Sequence, residues 1–163
     1  MRDPFVNPFS PEDAARHAIW EMLVPRDIDA FLAADWSMVE DDFIPEGFLA
    51  VSGNRSPDPD DWSLAFPDLA SYRDEWLRQA RDFAGRTYGE DPRSAIFSTT
   101  TLEEIEISGD TALVRKKFDG GIRRGDGELD VMKWQTLYYC RRHEGRWKIC
   151  GFTGYLPNPM GKA

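Results

Sequence analysis

Apolar positions recur along this chain with two different periods. Ala15, Ala18, Ile19, Met22 and Leu23 fall on one stripe of a helix. Ser10-Pro11-Glu12-Asp13 supplies its start: a capping serine, a proline at the first helical position, then acids in the first turn. Pro25 predicts its end, and Asp27 opens a second short helix that buries Ile28, Phe31 and Leu32. Leu69, Tyr72, Trp76, Ala80 and Phe83 predict a third helix with a strongly aromatic face.

Elsewhere the period is two. Residues 43–51 read as a strand closed by Ser52-Gly53-Asn54, and the loop NRSPDPDD follows. From Ile96 onward four long strands are expected, at 97–108, 112–124, 128–142 and 147–156. The turns between them, SGDT, RGDG and HEGR, are short glycine-containing connections of antiparallel hairpins. A two-residue Gly109-Asp110 loop would set Glu104 opposite Arg115 and Glu103 opposite Lys116. Gly120-Gly121 falls in mid-strand and predicts a bulge or bend. A sheet bent there needs something in its concavity, and the helices are the candidates. The expectation is an α+β fold, three N-terminal helices packed on a strongly curved, mainly antiparallel sheet. Length allows one domain over 1–163, with a core of about 11–156 and an N-terminal arm, 1–10, lying on its surface.

Composition narrows the function classes. Net charge is −9, spread as −12 over residues 1–91 and +3 over 92–163. Such a balance repels phosphate backbones, so nucleic acid is not an expected partner. No apolar run approaches the ~20 residues that cross a bilayer, so no membrane association is expected. The opening MRDPFVNPFSPED lacks the apolar centre of a secretory signal, which makes the expected location cytoplasmic. Cys140 and Cys150 flank the HEGR turn and are expected as reduced, packed thiols. With two histidines, neither in an acid–histidine cluster, no metal site is expected, and nothing calls for a cofactor. His17 reads as a half-exposed helix residue, and Lys116, Lys117 and Asp119 as a solvated strand face.

The helix pair ending in AADW, the strand after VEDDF, the tryptophan-bearing third helix and the closing GRWKICGF resemble the nuclear-transport-factor-2-like superfamily. Its cone-shaped relatives include SnoaL-like polyketide cyclases, ketosteroid isomerases and scytalone dehydratase. The stretch ADWSMVED is similar to the ketosteroid isomerase segment that carries the catalytic base, which puts Asp41 at that position. The isomerase oxyanion hole, a tyrosine and a protonated aspartic acid, is not reproduced: the matching positions fall on Ile19 and near Gln135.

The resemblance implies a cone pocket for a small hydrophobic molecule, and for many members a homodimer through sheet faces. Strand alternation would turn Asp41 inward with Phe43 and leave Glu40 and Asp42 in solvent. Trp20, Trp36 and Trp134 would wall the pocket, with Tyr138 as a nearby donor. Trp134 and Tyr138 share a face with Met132, Thr136 and Cys140, either the pocket wall or an outer face covered by a second subunit. Three functions fit: a small-molecule binder; a cofactor-independent isomerase, cyclase or dehydratase of a steroid- or polyketide-like substrate with Asp41 as general base; or a protein-interaction module.

Overall fold

A computed structural model describes residues 2–160. Asp13 rather than Ser10 caps the first helix, α1 (Ala14–Glu21), by accepting from the Arg16 N–H. The chain does not stop at Pro25. It widens into one π-helical turn, Met22–Arg26, and continues as α2 (Asp27–Ala33). In an i→i+5 pattern the Glu21 carbonyl looks to Arg26 rather than to Pro25, which has no N–H to give. The third helix, α3 (Leu69–Ala84), starts at its Asp68 cap. A fourth, α4 (Pro92–Thr99), occupies the place where alternation predicts the start of a strand. Its cap is Asp91, whose carboxylate accepts from the Ser94 N–H.

The strands are β1 (Leu49–Ser52), β2 (Ser63–Phe66), β3 (Thr100–Ser108), β4 (Thr111–Arg123), β5 (Leu129–His143) and β6 (Arg146–Leu156). They form one curved, open sheet in the order β2-β1-β6-β5-β4-β3, antiparallel except where β1 runs parallel to β6. Strand β2 has no alternating signal, because Ser63, Leu64 and Ala65 are all exposed. The strand expected over 43–51 is shorter than its pattern. Glu40–Asp42 forms a 3₁₀ turn, Phe43 makes a single parallel bridge to Ile149, and strand pairing begins only at Leu49.

Glu104 faces Arg115 as expected, but an irregularity between Thr101 and Glu104 breaks the next pair and sets Lys117 opposite Thr101. Gly120 and Gly121 produce no bulge: β4 pairs with β5 without a break from Thr111 to Arg123. Their role is close approach. A Cβ on Gly120 would lie 2.6 Å from Thr99 Oγ1 at the end of α4, and one on Gly121 2.6 Å from the Asp130 carbonyl.

Aromatic side chains weld helices to sheet. Trp36 stacks on Phe43 at 5.0 Å and meets Trp76 edge-on at 5.2 Å, and Tyr72 packs against Phe48, Phe66 and Phe152. The N-terminal arm is pinned: Phe5 stacks on Phe97 at 4.7 Å, and the Phe9 carbonyl lies 3.0 Å from His17 Nδ1. His17 is thereby a structural residue, half-buried beneath the arm. Both cysteines are free thiols, and Cys150 donates to the Tyr139 carbonyl. Among the described residues no helix is long and apolar enough to cross a membrane.

Candidate functional site

On β4 the residues Ala112, Val114, Lys116 and Phe118 point inward, and on β5 their partners are Cys140, Tyr138, Thr136 and Trp134. The face shared by Trp134 and Tyr138 is therefore the inner wall, which settles the alternative left open by periodicity. Opposite that wall, α3 presents Tyr72, Trp76, Gln79 and Phe83 at steps of four, three and four residues, one face of the helix. The first turns of α2 add Asp27, Ile28 and Phe31. Between wall and helices lies a cavity of about 550 Å³, within the usual range for small-molecule sites.

The wall carries one buried cation. Lys116 is 1% exposed; its Nζ donates to the Leu23 carbonyl in the π-helical turn and lies 2.9 Å from Asp27 Oδ2. The same ammonium sits 5.4 Å from the centroid of the Phe118 ring. Burial of a lysine is tolerated here because each contact supplies an acceptor or a negative ring face. Alternation does carry this signal: Ala112, Val114 and Phe118 all face inward, and position 116 falls on their side. Lys117 and Asp119 face outward, where they pair with Glu104 and Lys133.

Two phenols share the inner end. Burial, then the nearby Asp27 carboxylate and Tyr155, hold Tyr72 well above the ordinary tyrosine pKa of about 10. For Tyr138 burial again comes first, then Tyr72 and Asp27. Both hydroxyls therefore stay protonated donors. Neither makes a hydrogen bond among the described residues, and neither oxygen is sealed off, so both open onto the cavity. A phenol whose pKa rises on folding adds stability below its unfolded value, and that stability is lost as pH climbs toward the folded value. Thermal stability is expected to fall above about pH 10, and Tyr138→Phe to reduce that fall. Melting curves collected from neutral to alkaline pH on both proteins check this.

The residues singled out in the sequence divide. Trp134 and Tyr138 line the cavity. Trp20 is buried in the core, and Trp36 lies one layer behind Trp76, so neither reaches it. Asp41 is exposed and does not line the cavity. Its neighbour Asp42 is the buried acid, 2% exposed, accepting from Arg26 Nε at 2.8 Å and Nη2 at 2.9 Å and also from Arg146. The 3₁₀ turn inverts the strand alternation that would have put Asp41 inside. With Asp41 in water, its assignment as general base falls. The carboxylate that reaches the cavity beside Lys116, Asp27, reads in sequence only as a helix-opening residue after Pro25.

The chain matches no protein-family model and no curated protein sequence. Solved structures do resemble it. An NTF2-like protein of unknown function from Shewanella baltica is 14% identical, with 91% of this chain and 96% of that chain covered and a TM-score of 0.53. A conserved protein from Planctomyces limnophilus is 15% identical, with 88% and 96% covered and a TM-score of 0.58. A provisionally assigned ketosteroid isomerase from Shewanella frigidimarina is 14% identical, with 86% and 94% covered and a TM-score of 0.54. Identities this low speak for architecture and not for chemistry, and on that ground the chain has the NTF2-like fold.

Proposed function

We propose that the chain binds a small, largely apolar molecule carrying an oxygen acceptor, in the cavity between α2, α3 and the inner face of β4–β6. The observation that carries this reading is the pair of phenol donors, Tyr72 and Tyr138, open to the cavity without hydrogen-bond partners among the described residues. Hydroxyls that open onto a cavity are free to donate to a ligand oxygen placed there. Trp76, Phe118, Trp134 and Phe152 supply flat apolar surface around them.

The test is displacement of the neutral fluorophore N-phenyl-1-naphthylamine by two molecules of similar shape, 2-acetylnaphthalene and 2-ethylnaphthalene. The ketone is expected to compete better. Tyr138→Phe should cost it about five- to tenfold and leave the hydrocarbon unaffected, the scale of one hydrogen bond. If neither compound competes, the binding reading is wrong. Equal competition by both would remove the tyrosines from it.

A second reading is favoured by Asp27, the carboxylate of the cavity lining that stands beside Lys116. In it, Asp27 takes and returns a proton on a bound steroid- or polyketide-like substrate, an isomerase, cyclase or dehydratase chemistry without cofactor. Turnover lost in Asp27→Asn, with ligand affinity kept, would favour it over simple binding. We further propose a homodimer through the outer sheet face, where Leu113 lies opposite Tyr139 and Arg115 opposite Leu137. Sedimentation velocity would report it as a species of twice the 18.7 kDa chain.

A further inference from the structure

We infer that the ligand of this cavity is an organic acid, its anionic group held by Arg55 at the mouth while its ring system occupies the aromatic interior. The inference rests on the cavity being a ligand site, and three observations carry it.

The first is charge balance. Of the six charged side chains that line the cavity, five are paired with one another or with a neighbour. Lys116 meets Asp27 at 2.9 Å, Arg86 meets Asp82 at 2.7 Å and Asp130 at 3.6 Å, and Asp130 also meets Arg124 at 3.4 Å. Arg55 has no carboxylate within salt-bridge distance among the described residues. Arg55 is therefore the one charged side chain of the lining without an ion partner among the described residues.

The second is placement. The Arg55 guanidinium carbon lies 5.0 Å from the Trp134 ring centroid and 5.9 Å from that of Tyr155, both part of the cavity wall. A guanidinium laid face-on against an aromatic ring keeps its N–H edge free, and that edge matches a carboxylate bidentately. The side chain is exposed where it lines the cavity.

The third is the backbone that puts it there. Asn54 and Arg55 have φ of +51° and +57°, and Tyr155, facing them from β6, has +51°. The left-handed region disfavours a branched-off Cβ, and glycine is the default occupant. Asn54 is compensated locally, through Ser52 Oγ at 3.0 Å and the Asp61 carbonyl at 2.7 Å. Arg55 has no such side-chain bond. Its N–H donates to the Tyr155 carbonyl at 2.7 Å, and Gly53 donates to the Gly154 carbonyl at 2.7 Å, so the turn is clamped to β6. An arginine held in a conformation that suits glycine is a strained residue at a pocket entrance.

Two fluorophores that differ by one sulfonate test this on the full chain: 8-anilino-1-naphthalenesulfonate and the neutral N-phenyl-1-naphthylamine. The wild type is expected to bind the anion about tenfold more tightly, a preference that weakens with salt. Arg55→Gln should bring the anion to the affinity of the neutral probe and leave the neutral probe unchanged. Arg55→Gly, which suits the left-handed backbone, should lose the same preference while melting within about 3 °C of wild type. If either variant keeps the preference, the anion inference is overturned while the cavity reading stands. If 2-acetylnaphthalene displaces neither probe, both bind elsewhere, and the cavity reading falls first. Displacement of both, with the preference confined to chains carrying Arg55, is the supporting result.

Discussion

Asp42→Ala is expected to lower the unfolding free energy by about 3 kcal/mol, at the lower end of what breaking a buried ion pair costs. The carboxylate ties three segments that are distant in sequence. Arg26 reaches it from the π-helical turn, Asp42 belongs to the 3₁₀ turn, and Arg146 opens β6. Arg146 also donates through Nη1 to the Asp41 carbonyl at 2.8 Å, so it fixes the turn as well as the acid. The cost stops short of the upper range because both arginines are more than a third exposed and can turn to water once released. For a chain of this length the thermal midpoint should drop by roughly 6–12 °C. A calorimetric scan showing less than a 2 °C shift would mean that the triad is no anchor. Asp42→Asn, which keeps one acceptor, should fall between the two.

Lys116→Met should cost a similar amount, about 3 kcal/mol, for a different reason. The substitution keeps an unbranched side chain as far as Cε but leaves Asp27 without its cation and the Leu23 carbonyl without its donor. Asp27→Asn in that background should recover part of the loss, with a coupling energy of about 1–3 kcal/mol in the double-mutant cycle. The informative protein is Asp27→Leu/Lys116→Met. Replacing a buried pair by apolar residues is often neutral or stabilising. If this variant unfolds in urea at or near the wild-type midpoint yet no longer binds 2-acetylnaphthalene, the pair is retained for the ligand and not for the fold. A variant that is destabilised and still binds would assign the pair to structure alone.

How much of this was legible depended on which force decided each residue. The meander β3–β6 was readable because alternation and glycine turns are local, and Glu104 opposite Arg115 followed from turn length alone. The third helix was readable for the same reason. The order of Glu40, Asp41 and Asp42 was not. Which acid turns inward is set by Arg26 and Arg146, 16 and 104 residues away from Asp42, and no local period reports on them. Helix α4 was masked because its Ala-Ile-Phe run leads into β3 through the strand-favouring threonines 99–101 with no glycine or proline between, although Asp91-Pro92 is a sound helix start. Trp20 and Trp36 went to the core because a concave sheet needs large side chains behind its first layer as well as in it. Lys116 is the instructive miss, since charge spoke for solvent while its place in the alternation spoke for the interior, and the alternation won.

The π-helical turn gives the first helix a phase as well as a length. One extra residue in that turn advances everything after it by about 100°, the rotation per residue of an α-helix. Arg26 can then reach outward to Asp42 while Asp27, the very next residue, reaches inward to Lys116. Deleting any one residue between Met22 and Arg26 would reset that phase. Asp27, Ile28 and Phe31 would leave the cavity together, even though none of them had been changed. As a genetic constraint, the segment from Met22 to Arg26 must keep its number of residues as well as the buried Met22, Leu23 and Val24.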